Sequence, residues 1–561
     1  MGQIISVGKQ NYASIRENRY FYIDKTYFIK EWWEFGDEVT LITRPRRFGK
    51  TLNMSMLECF FSMKFADRGD LFEGLRIWEE EKYRNIQGTY PVIFLSFASV
   101  KARKFEDAKE QIKIQIRKLY EEHRYLLERG VLSKSEEKQF NAITDDPNDA
   151  LLSDAINQLC LYLNRLYKKK VIVLLDEYDT PMQEAYLGGY WEEFTGFIRS
   201  MFNATFKTNL YIERGILTGI TRVSKESIFS DLNNLEVVTT TSDKYATSFG
   251  FTEQEVFASL EELDMEEEAQ KVKEWYDGFT FGKHSDIYNP WSITNYLDKR
   301  MYNTYWASTS SNGLANSLLR QGTGVVKQKM ERLLKGKSIL VDIDEQIIFD
   351  QLEKKKNAIW SFLLASGYLR IVHADIGDPS GKRSYELALT NKEVMLMFEE
   401  LVSDWFNTEG EEYNSFIKAL LKGNLKEMNA YMNEVALATF SSFDTGKHPS
   451  KRMQPERFYH GFVLGLLVEL RGEYEIISNG ESGYGRYDVI ICPVKKDKLA
   501  FVLEFKVFDT EEEKSLQDTV AAAHMQIENR QYDTRLLESG IKQENIRHYG
   551  FAFEGKKVLI G

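Results

Sequence analysis

Cysteine is the residue of which this sequence has least. Only three cysteines occur in 561 residues, and they lie far apart at Cys59, Cys160 and Cys492. So few cysteines exclude the disulfide framework of a small secreted protein, and their spacing matches no zinc-binding pattern. Each lies in an apolar stretch, as reduced thiols in a protein core do. We therefore expect a protein of the cytoplasm.

Long hydrophobic runs are missing as well. The best candidate, residues 461–468, is far too short to span a bilayer. The N-terminus has no basic segment followed by an apolar one, as a secretory signal would have. With nine prolines and no low-complexity tract, the sequence also leaves little room for long linkers. We expect no membrane association.

Negative charge is in modest excess. A formal net charge of −12 speaks against a protein that binds polyanions over its whole surface, although a local basic groove is compatible with it. With 43% apolar and 28% charged residues, the chain has the composition of an ordinary globular protein. A length of 561 residues predicts roughly two to four domains.

Strand-like and helix-like segments alternate through the first 245 residues. The predicted strands are residues 91–97, 171–175 and 210–218, and long helical segments at 105–122 and 149–167 separate them. The strands are apolar on both faces, which is typical of a parallel sheet covered by helices. This part of the chain therefore predicts an α/β domain with a parallel sheet.

Beyond residue 245 the pattern changes. Residues 251–300 are predicted as helices with aromatic-rich turns. A helix followed by two strands over residues 358–389 predicts a winged-helix-like unit, and residues 392–450 are predicted as helical. In residues 451–561 a helix, three strands, a second helix and a final strand predict a second α/β unit.

A phosphate-binding loop is predicted at residues 44–51, Arg-Pro-Arg-Arg-Phe-Gly-Lys-Thr. It lies between a strand-like run and a helix-like run, which is the context that a P-loop needs. There Lys50 would reach the β- and γ-phosphates, and Thr51 would hold Mg²⁺. Arg44 replaces the usual first glycine of such loops, and a basic turn before a helix is the alternative.

An acidic pair, Asp176 and Glu177, closes the most apolar predicted strand. In P-loop ATPases an acid at this place binds Mg²⁺ through water, and the following glutamate can orient the attacking water. Surface acids capping a strand are the alternative, but parallel strands bind ligands at their carboxyl ends. After the third strand, Arg222 is either a sensor of the γ-phosphate or a surface arginine. The residues expected to contact ATP are Arg47, Phe48, Gly49, Lys50, Thr51, Asp176 and Arg222.

Two charges interrupt an otherwise apolar strand at residues 500–508. Glu504 and Lys506 project from the same face, because side chains alternate along a strand. A hairpin turn centred on Lys496 would put Asp488 across from Glu504, where two like charges repel. Mg²⁺ between them would reverse that penalty and support phosphodiester hydrolysis, with Lys506 stabilising developing negative charge. A salt bridge of Lys506 with either acid is the alternative.

Several spaced motifs resemble those of the bacterial AAA-ATPase-like proteins, and the resemblance covers nearly the whole chain. They are residues 22–26, 44–51, 174–179, 217–222, 229–234 and 275–278. The resemblance implies that an arginine at position 44 is normal for this family.

Members of that family carry a C-terminal domain similar to PD-(D/E)xK nucleases, whose pattern residues 483–488 and 504–506 match. The resemblance implies Glu456 as an additional acid at the metal, with His460 one turn later on the same helix. It also relates Gln526 to a glutamine in the following helix of some such nucleases. A glutamate favoured by the helix dipole and a polar surface glutamine are the alternatives.

The resemblance implies four regions. They are an AAA-ATPase-like P-loop domain (residues 1–245), a helical lid and winged-helix-like region (246–395), a helical connector (396–450) and a restriction-endonuclease-like α/β domain (451–561).

The function expected from these regions is an ATPase, with ATP and Mg²⁺ as cofactors, coupled to a nuclease acting on DNA rather than RNA. Asp488, Glu504 and Lys506 would be catalytic, with the metal held by Asp488, Glu504 and Glu456. Defence or control of mobile elements is the setting by analogy alone. A regulatory or scaffold protein that binds without cleaving, and an ATP switch acting on a protein partner or a second copy, stay open.

Overall fold

The computed structural model describes residues 3–221, 229, 232–309, 313–320, 324–343, 357–375, 384–404, 412–439, 463, 467–470, 473–478, 481–482, 485–486, 488–509, 512–555 and 557–561. The chain divides into two compact units. The first is Met1–Ser311 with Leu340–Val394, and the second is Asn312–Ile339 with Met395–Gly561.

A five-stranded sheet forms the centre of the first unit. Its strands are β1 (Val39–Thr43), β2 (Val92–Ser96), β3 (Val171–Asp176), β4 (Ile212–Gly219) and β5 (Leu235–Val238). They lie in the order β2-β3-β4-β1-β5, and all the pairings are parallel. β1 and β3 are buried along their whole length, as strands covered on both faces are. The predicted N-terminal α/β fold with a parallel sheet is therefore confirmed.

Helices connect these strands. They are α1 (Tyr12–Glu17), α2 (Tyr27–Phe35), α3 (Lys50–Phe61), α4 (Glu81–Arg84), α5 (Phe105–Glu122), α6 (Lys134–Asp145), α7 (Asp149–Tyr167), α8 (Thr180–Gly188) and α9 (Trp191–Phe202). α3 begins within the predicted phosphate loop, at Lys50, and its N-cap residue is Gly49 with a φ of 79°. Glycine reaches this left-handed conformation without strain, so the chain can turn from the loop into the helix.

A small antiparallel sheet lies within residues 251–300, which the sequence predicted as helical. Its strands are β6 (Phe251–Thr252), β7 (Phe279–Phe281) and β8 (His284–Tyr288), in the order β6-β8-β7. The helices of this region are α10 (Glu253–Glu262), α11 (Ala269–Tyr276) and α12 (Pro290–Lys299). The helical prediction was therefore wrong for the three strands. They are two to five residues long, too short for their alternation to stand out.

Asn289 is the N-cap of α12. Its side-chain oxygen accepts hydrogen bonds from the N–H of Trp291 at 2.9 Å and of Ser292 at 3.3 Å. We expect Asn289→Ala to lower the free energy of unfolding of the first unit by about 1 kcal/mol, and Asn289→Ser to lower it less, because serine also caps. Urea titration with tryptophan fluorescence measures this, since every tryptophan except Trp405 lies in that unit. Equal stabilities of wild type and Asn289→Ala would contradict the cap.

The helix and hairpin predicted at residues 358–389 are present. Before them come α13 (Trp306–Thr309), α14 (Gly313–Arg320), α15 (Gly324–Leu334) and β9 (Ile339–Asp342). The helix is α16 (Ala358–Ala365), and the antiparallel strands are β10 (Leu369–Asp375) and β11 (Ser384–Leu389). The sheet has the order β10-β11-β9.

A mixed sheet is the core of the second unit. Its strands are β12 (Tyr474–Ser478), β15 (Val489–Pro493), β16 (Ala500–Val507), β17 (Ile546–Glu554) and β18 (Lys557–Ile560), in that order, and β13 (Glu481–Ser482) with β14 (Gly485–Arg486) forms a separate ribbon. β16 and β17 are parallel, whereas the other pairs are antiparallel. Its described helices are α14 and α15 together with α17 (Lys392–Asp404), α18 (Glu412–Lys422), α19 (Leu425–Thr439), α20 (Leu516–Asn529) and α21 (Thr534–Glu538). The predicted C-terminal α/β fold is therefore confirmed.

The three cysteines are buried free thiols. Burial raises the pKa of both Cys59 and Cys160 to about 12, so these two thiols stay protonated at neutral pH. Among the helices in the described part of the chain, none is both long enough and apolar enough to cross a membrane.

Candidate functional sites

The loop of residues 44–51 leads from β1 into α3 and forms one wall of a cavity of about 470 Å³. Within the described residues, the backbone N–H groups of Arg47, Phe48 and Gly49 donate no hydrogen bond. A Cβ added at Gly49 would meet nothing within 4 Å, so there is open space over the loop. Available N–H donors at a helix N-terminus bind phosphate well. The loop therefore fits the phosphates of a nucleotide.

Lys50 lies beneath this loop and is 3% exposed. Its Nζ donates hydrogen bonds to the backbone carbonyls of Arg44 at 3.1 Å and Pro45 at 3.0 Å. The Oε1 atom of Glu177 lies 3.9 Å from the same nitrogen. A buried ammonium at this place can contact phosphate oxygens over the loop, since it is within reach of the cavity that it lines.

Positive charge predominates around the cavity. The other lining cations are Lys9, Lys25, Arg46, Arg47 and Lys101, and the lining acids are Glu177 and Glu184. Lys25 is neutralised by Glu255, whose carboxylate lies 2.7 Å from its Nζ. The remaining excess of positive charge suits a polyanionic ligand such as a triphosphate.

Thr51 and Asp176 meet beside the loop. The Thr51 hydroxyl donates to Asp176 Oδ2 at 2.7 Å, and the Thr218 hydroxyl donates to Asp176 Oδ1 at 2.5 Å. Burial raises the pKa of Asp176, and the charge of Glu177 raises it further. Adjacent hydroxyl and carboxylate oxygens are ligands that Mg²⁺ prefers, and a cation would offset the burial of this carboxylate. Thr51 and Asp176 therefore fit a magnesium ion.

Glu177 adopts a left-handed backbone conformation with a φ of 54°. Such a conformation is uncommon for a non-glycine residue, and strained residues cluster at functional sites. Next to it, Asp179 is buried and accepts hydrogen bonds from the N–H of Ile220 at 2.9 Å and Thr221 at 2.8 Å. Burial raises the pKa of Asp179. This carboxylate fixes the residues that lead to Arg222, which itself lies outside the described residues.

Arg47 and Phe48 were expected to contact the nucleotide. The Phe48 side chain is 1% exposed, and its ring packs 4.7 Å from that of Phe279, measured between centroids. The Arg47 guanidinium lies 4.3 Å from the ring centroid of Trp291, which also lines the cavity. The buried Phe48 side chain leaves only the backbone N–H of this residue for the nucleotide. Arg47 also has its backbone N–H available, while its guanidinium packs on the ring of Trp291.

Asp488 and Glu504 lie opposite each other in the second unit. Val489 pairs with Leu503 in the hairpin of β15 and β16, so the next position puts Asp488 across from Glu504. The N–H of Phe505 donates to Asp488 Oδ2 at 2.8 Å, which fixes that carboxylate against the strand. Glu504 is 2% exposed. Two opposed carboxylates, one of them buried, fit a divalent cation.

Gln526, on α20, bridges Glu504 and Lys506. Its Oε1 accepts a hydrogen bond from Lys506 Nζ at 2.7 Å, while its Nε2 donates to Glu504 Oε1 and, at 3.1 Å, to the Tyr532 hydroxyl. Between described residues, Lys506 forms no ion pair with Asp488 or Glu504. The salt bridge considered as the alternative is thus absent there. Glu456 and His460 lie outside the described residues.

Thr218 is a polar contact that sequence reasoning did not assign, and Gln526 was related to the nuclease site only through the family resemblance. Thr218 is at the end of the predicted third strand, where a hydroxyl next to the acidic strand end was an available signal. Gln526 was weighed equally as a surface residue, because its position on the helix gave no evidence of the strand that it contacts.

Three carboxylates of the first unit, Glu253, Asp277 and Asp286, also lie within reach of one metal ion. Lys273 Nζ contacts Glu253 and lies 3.1 Å from Asp286 Oδ1. Burial raises the pKa of Asp277 to about 7. Because an ammonium already neutralises the group, we assign no metal to it.

Two segments of the chain match known families. Residues 6–229 match the sequence model of the family described as "Predicted AAA-ATPase". Residues 454–561 match the sequence model of the PD-(D/E)XK nuclease superfamily. The resemblance drawn from the motifs is therefore confirmed for both segments, and the architecture is that of an AAA-ATPase-like domain followed by a nuclease-like one. The matched segments contain the parallel sheet up to β4 and the mixed sheet.

The chain is also similar to an "Uncharacterized protein in vnfD 5'region" of Azotobacter chroococcum mcd 1, with 28% identity over 313 residues. The alignment covers 55% of this chain and 54% of that protein. The chain thus spans about half the length of the curated relative that it matches.

Proposed function

We propose that this chain is an ATPase of the cytoplasm whose C-terminal domain is a Mg²⁺-dependent nuclease controlled by the nucleotide. The observation that carries the proposal is the meeting of Lys50, Thr51 and Asp176 at one edge of the parallel sheet, with the Thr51 hydroxyl 2.7 Å from the Asp176 carboxylate. DNA is the nucleic acid that we favour over RNA. Defence or control of mobile elements is the setting that this combination suggests.

In the first unit each residue has a defined role in the proposal. Lys50 and the N–H groups of residues 47–49 bind phosphate oxygens. Thr51 and Asp176 would hold Mg²⁺, which when bound neutralises charge on the phosphates. Glu177 would accept a hydrogen bond from the attacking water and orient it, and Arg222 would sense the γ-phosphate.

In the second unit Asp488 and Glu504 would hold the metal, with Glu456 as a further ligand. A bound Mg²⁺ would lower the pKa of water and neutralise the scissile phosphate. Lys506, held 2.7 Å from Gln526 Oε1, would direct its ammonium at the oxygen on which negative charge develops. Gln526 keeps that ammonium apart from the carboxylates, so its charge stays available to the phosphate.

The charge of the C-terminal region favours a second candidate function. Residues 451–561 contain slightly more acidic than basic side chains, which does not favour strong nonspecific binding to nucleic acid. The chain would then be a nucleotide-dependent regulatory or scaffold protein whose nuclease-like domain binds without cleaving. A second copy or a protein partner would receive its signal.

One assay separates the two functions. Full-length protein is incubated with ATP and Mg²⁺ and with double-stranded DNA, single-stranded DNA or RNA, and ATP turnover and strand cleavage are followed. The nuclease function predicts cleavage with Mg²⁺ that is lost in EDTA. Intact ATP turnover without cleavage of any substrate would overturn it in favour of the regulatory function.

Lys50→Ala is expected to weaken MgATP binding by about 100-fold, because a hydrogen bond to a charged group contributes about 2–3 kcal/mol. Isothermal titration calorimetry measures the affinity. Lys64→Ala is the matched control, since Lys64 lies on the surface of the same unit with its side chain 49% exposed. Unchanged affinity in Lys50→Ala would contradict the phosphate site, and loss of cleavage together with affinity would establish that the two sites are coupled.

A further inference from the structure

Large side chains fill the phosphate loop at residues 44–48, Arg-Pro-Arg-Arg-Phe. Nucleotide binding needs only the backbone of such a loop together with Lys50, so these side chains require another explanation. Each of these five residues contacts a residue that follows position 238 in the chain.

Arg44 is completely buried. It donates hydrogen bonds to the carbonyls of Thr43 at 2.9 Å and Thr239 at 2.7 Å. Within the described residues no carboxylate lies within ion-pair distance of it, and burial lowers its pKa to about 9. Its guanidinium carbon lies 4.5 Å from the ring centroid of Phe281. The face of that ring is thus an electrostatic partner of a buried cation that has no counter-ion among the described residues.

Phe48 and Pro45 are held by the same region. Phe48 makes edge contacts with Phe279 and Phe281, at 4.7 and 5.4 Å between ring centroids. A Cβ added at Gly367 would lie 2.8 Å from Pro45 Cγ and 2.9 Å from Phe279 Cε1. The bare backbone of Gly367 therefore allows the proline to pack closely against it.

The remaining two residues of the loop are held through α12. Asn289 donates a side-chain hydrogen bond to the carbonyl of Arg46 at 3.3 Å. The Arg47 guanidinium lies over the ring of Trp291. The loop is thus held by β7, by Gly367 and by the start of α12, of which the last also lines the cavity.

We propose that Phe279 and Phe281 are positioning residues for the phosphate site: through Arg44 and Phe48 they hold the loop in the shape that presents its N–H groups. Neither phenylalanine lines the cavity. The inference rests on the proposed nucleotide binding. Packing against β7 restricts the loop, which has a large side chain in place of the first glycine, to fewer conformations. A loop that is preorganised in this way loses less conformational entropy on binding and therefore binds phosphate more tightly. By linkage, bound nucleotide stabilises the packing of β7 to the same extent.

Phe281→Leu tests the proposal, because leucine keeps an apolar side chain, although a smaller one, but removes the ring face from Arg44. We expect MgATP affinity to fall about tenfold in calorimetry, in keeping with the strength of one cation–π and one aromatic contact. Phe281→Tyr, which keeps the ring, should bind within about threefold of wild type. Phe72→Leu is the control: Phe72 is fully buried in the core of the same unit but lines no part of the cavity.

A second readout needs no nucleotide. Hydrogen exchange of the amides of Arg44 and Asn53, which flank the loop and donate to the carbonyls of Gly219 at 3.1 Å and Gly49 at 2.9 Å, is followed in the nucleotide-free protein. It should accelerate in Phe281→Leu and stay at the wild-type rate in Phe72→Leu. Phe279→Leu, which removes the other ring from Phe48, is the alternative variant if Phe281→Leu does not fold, and the same result is expected for it.

The outcomes are distinct. Wild-type affinity and wild-type exchange in Phe281→Leu would overturn the positioning role, as would an equal loss in Phe72→Leu. Absence of MgATP binding in the wild type would overturn the proposed function instead. Accelerated loop exchange in Phe281→Leu would then still support the clamp.

Discussion

Asp488→Asn is expected to reduce Mg²⁺-dependent DNA cleavage by about 1000-fold, because charge stabilisation by a bound metal contributes about 4 kcal/mol to the rate. Asparagine has the same shape, and its amide oxygen can still accept the hydrogen bond from the N–H of Phe505, which is 2.8 Å long in the wild type. The loss should therefore occur without unfolding. Cleavage rates across Mg²⁺ concentrations measure it, and Mn²⁺ titration reports metal affinity independently of cleavage.

The matched control lies at the other end of the same hairpin. Asp497 is exposed in the turn between β15 and β16, and Asp497→Asn should leave cleavage and metal affinity unchanged. Glu504→Gln should lose cleavage as Asp488→Asn does, since the two carboxylates would share one ion. Cleavage by Asp488→Asn within tenfold of wild type would refute the metal site and leave Asp488 a structural role in fixing Phe505.

Much of the fold could be predicted because its signals are local. The strand at residues 171–176 is apolar up to Leu175 and ends in an acid, so its burial and its place in a parallel sheet followed from the sequence. The pairing of β15 with β16 could be predicted from the turn between them, because the turn of a hairpin determines which residues of its two strands lie opposite each other. In contrast, β6, β7 and β8 have two to five residues each, and such short strands form through distant partners that a local pattern does not reveal.

The candidate sites divide in the same way. Lys50, Thr51 and Asp176 could be predicted together because strand ends of a parallel sheet converge at one edge. Arg44 was recognised as a departure from the usual loop, but its explanation lies in Phe281, far later in the chain. The bridge by Gln526 likewise depends on how a helix packs on a sheet, which sequence spacing alone does not specify.

Gly278→Ala is expected to lower the free energy of unfolding of the first unit by about 4 kcal/mol, the sum of a strained backbone and a forced overlap. Gly278 has a φ of 125°, a conformation that side chains rarely allow. A Cβ there would lie 2.0 Å from the carbonyl oxygen of Thr390, which directly follows β11. Because this oxygen belongs to the backbone, it cannot move away from the added methyl group as a flexible side chain could. Urea unfolding followed by tryptophan fluorescence gives the difference.

Gly74→Ala separates the two contributions. Gly74 has a φ of 76°, but a Cβ there would meet nothing within 4 Å, so we expect a loss of only about 1 kcal/mol. Equal losses in the two variants would show that the approach to Thr390 does not require glycine. Gly278 directly precedes β7, whose phenylalanines contact the phosphate loop. Gly278→Ala should therefore also weaken MgATP binding, whereas Gly74→Ala should not, because only the former displaces the strand that positions the loop.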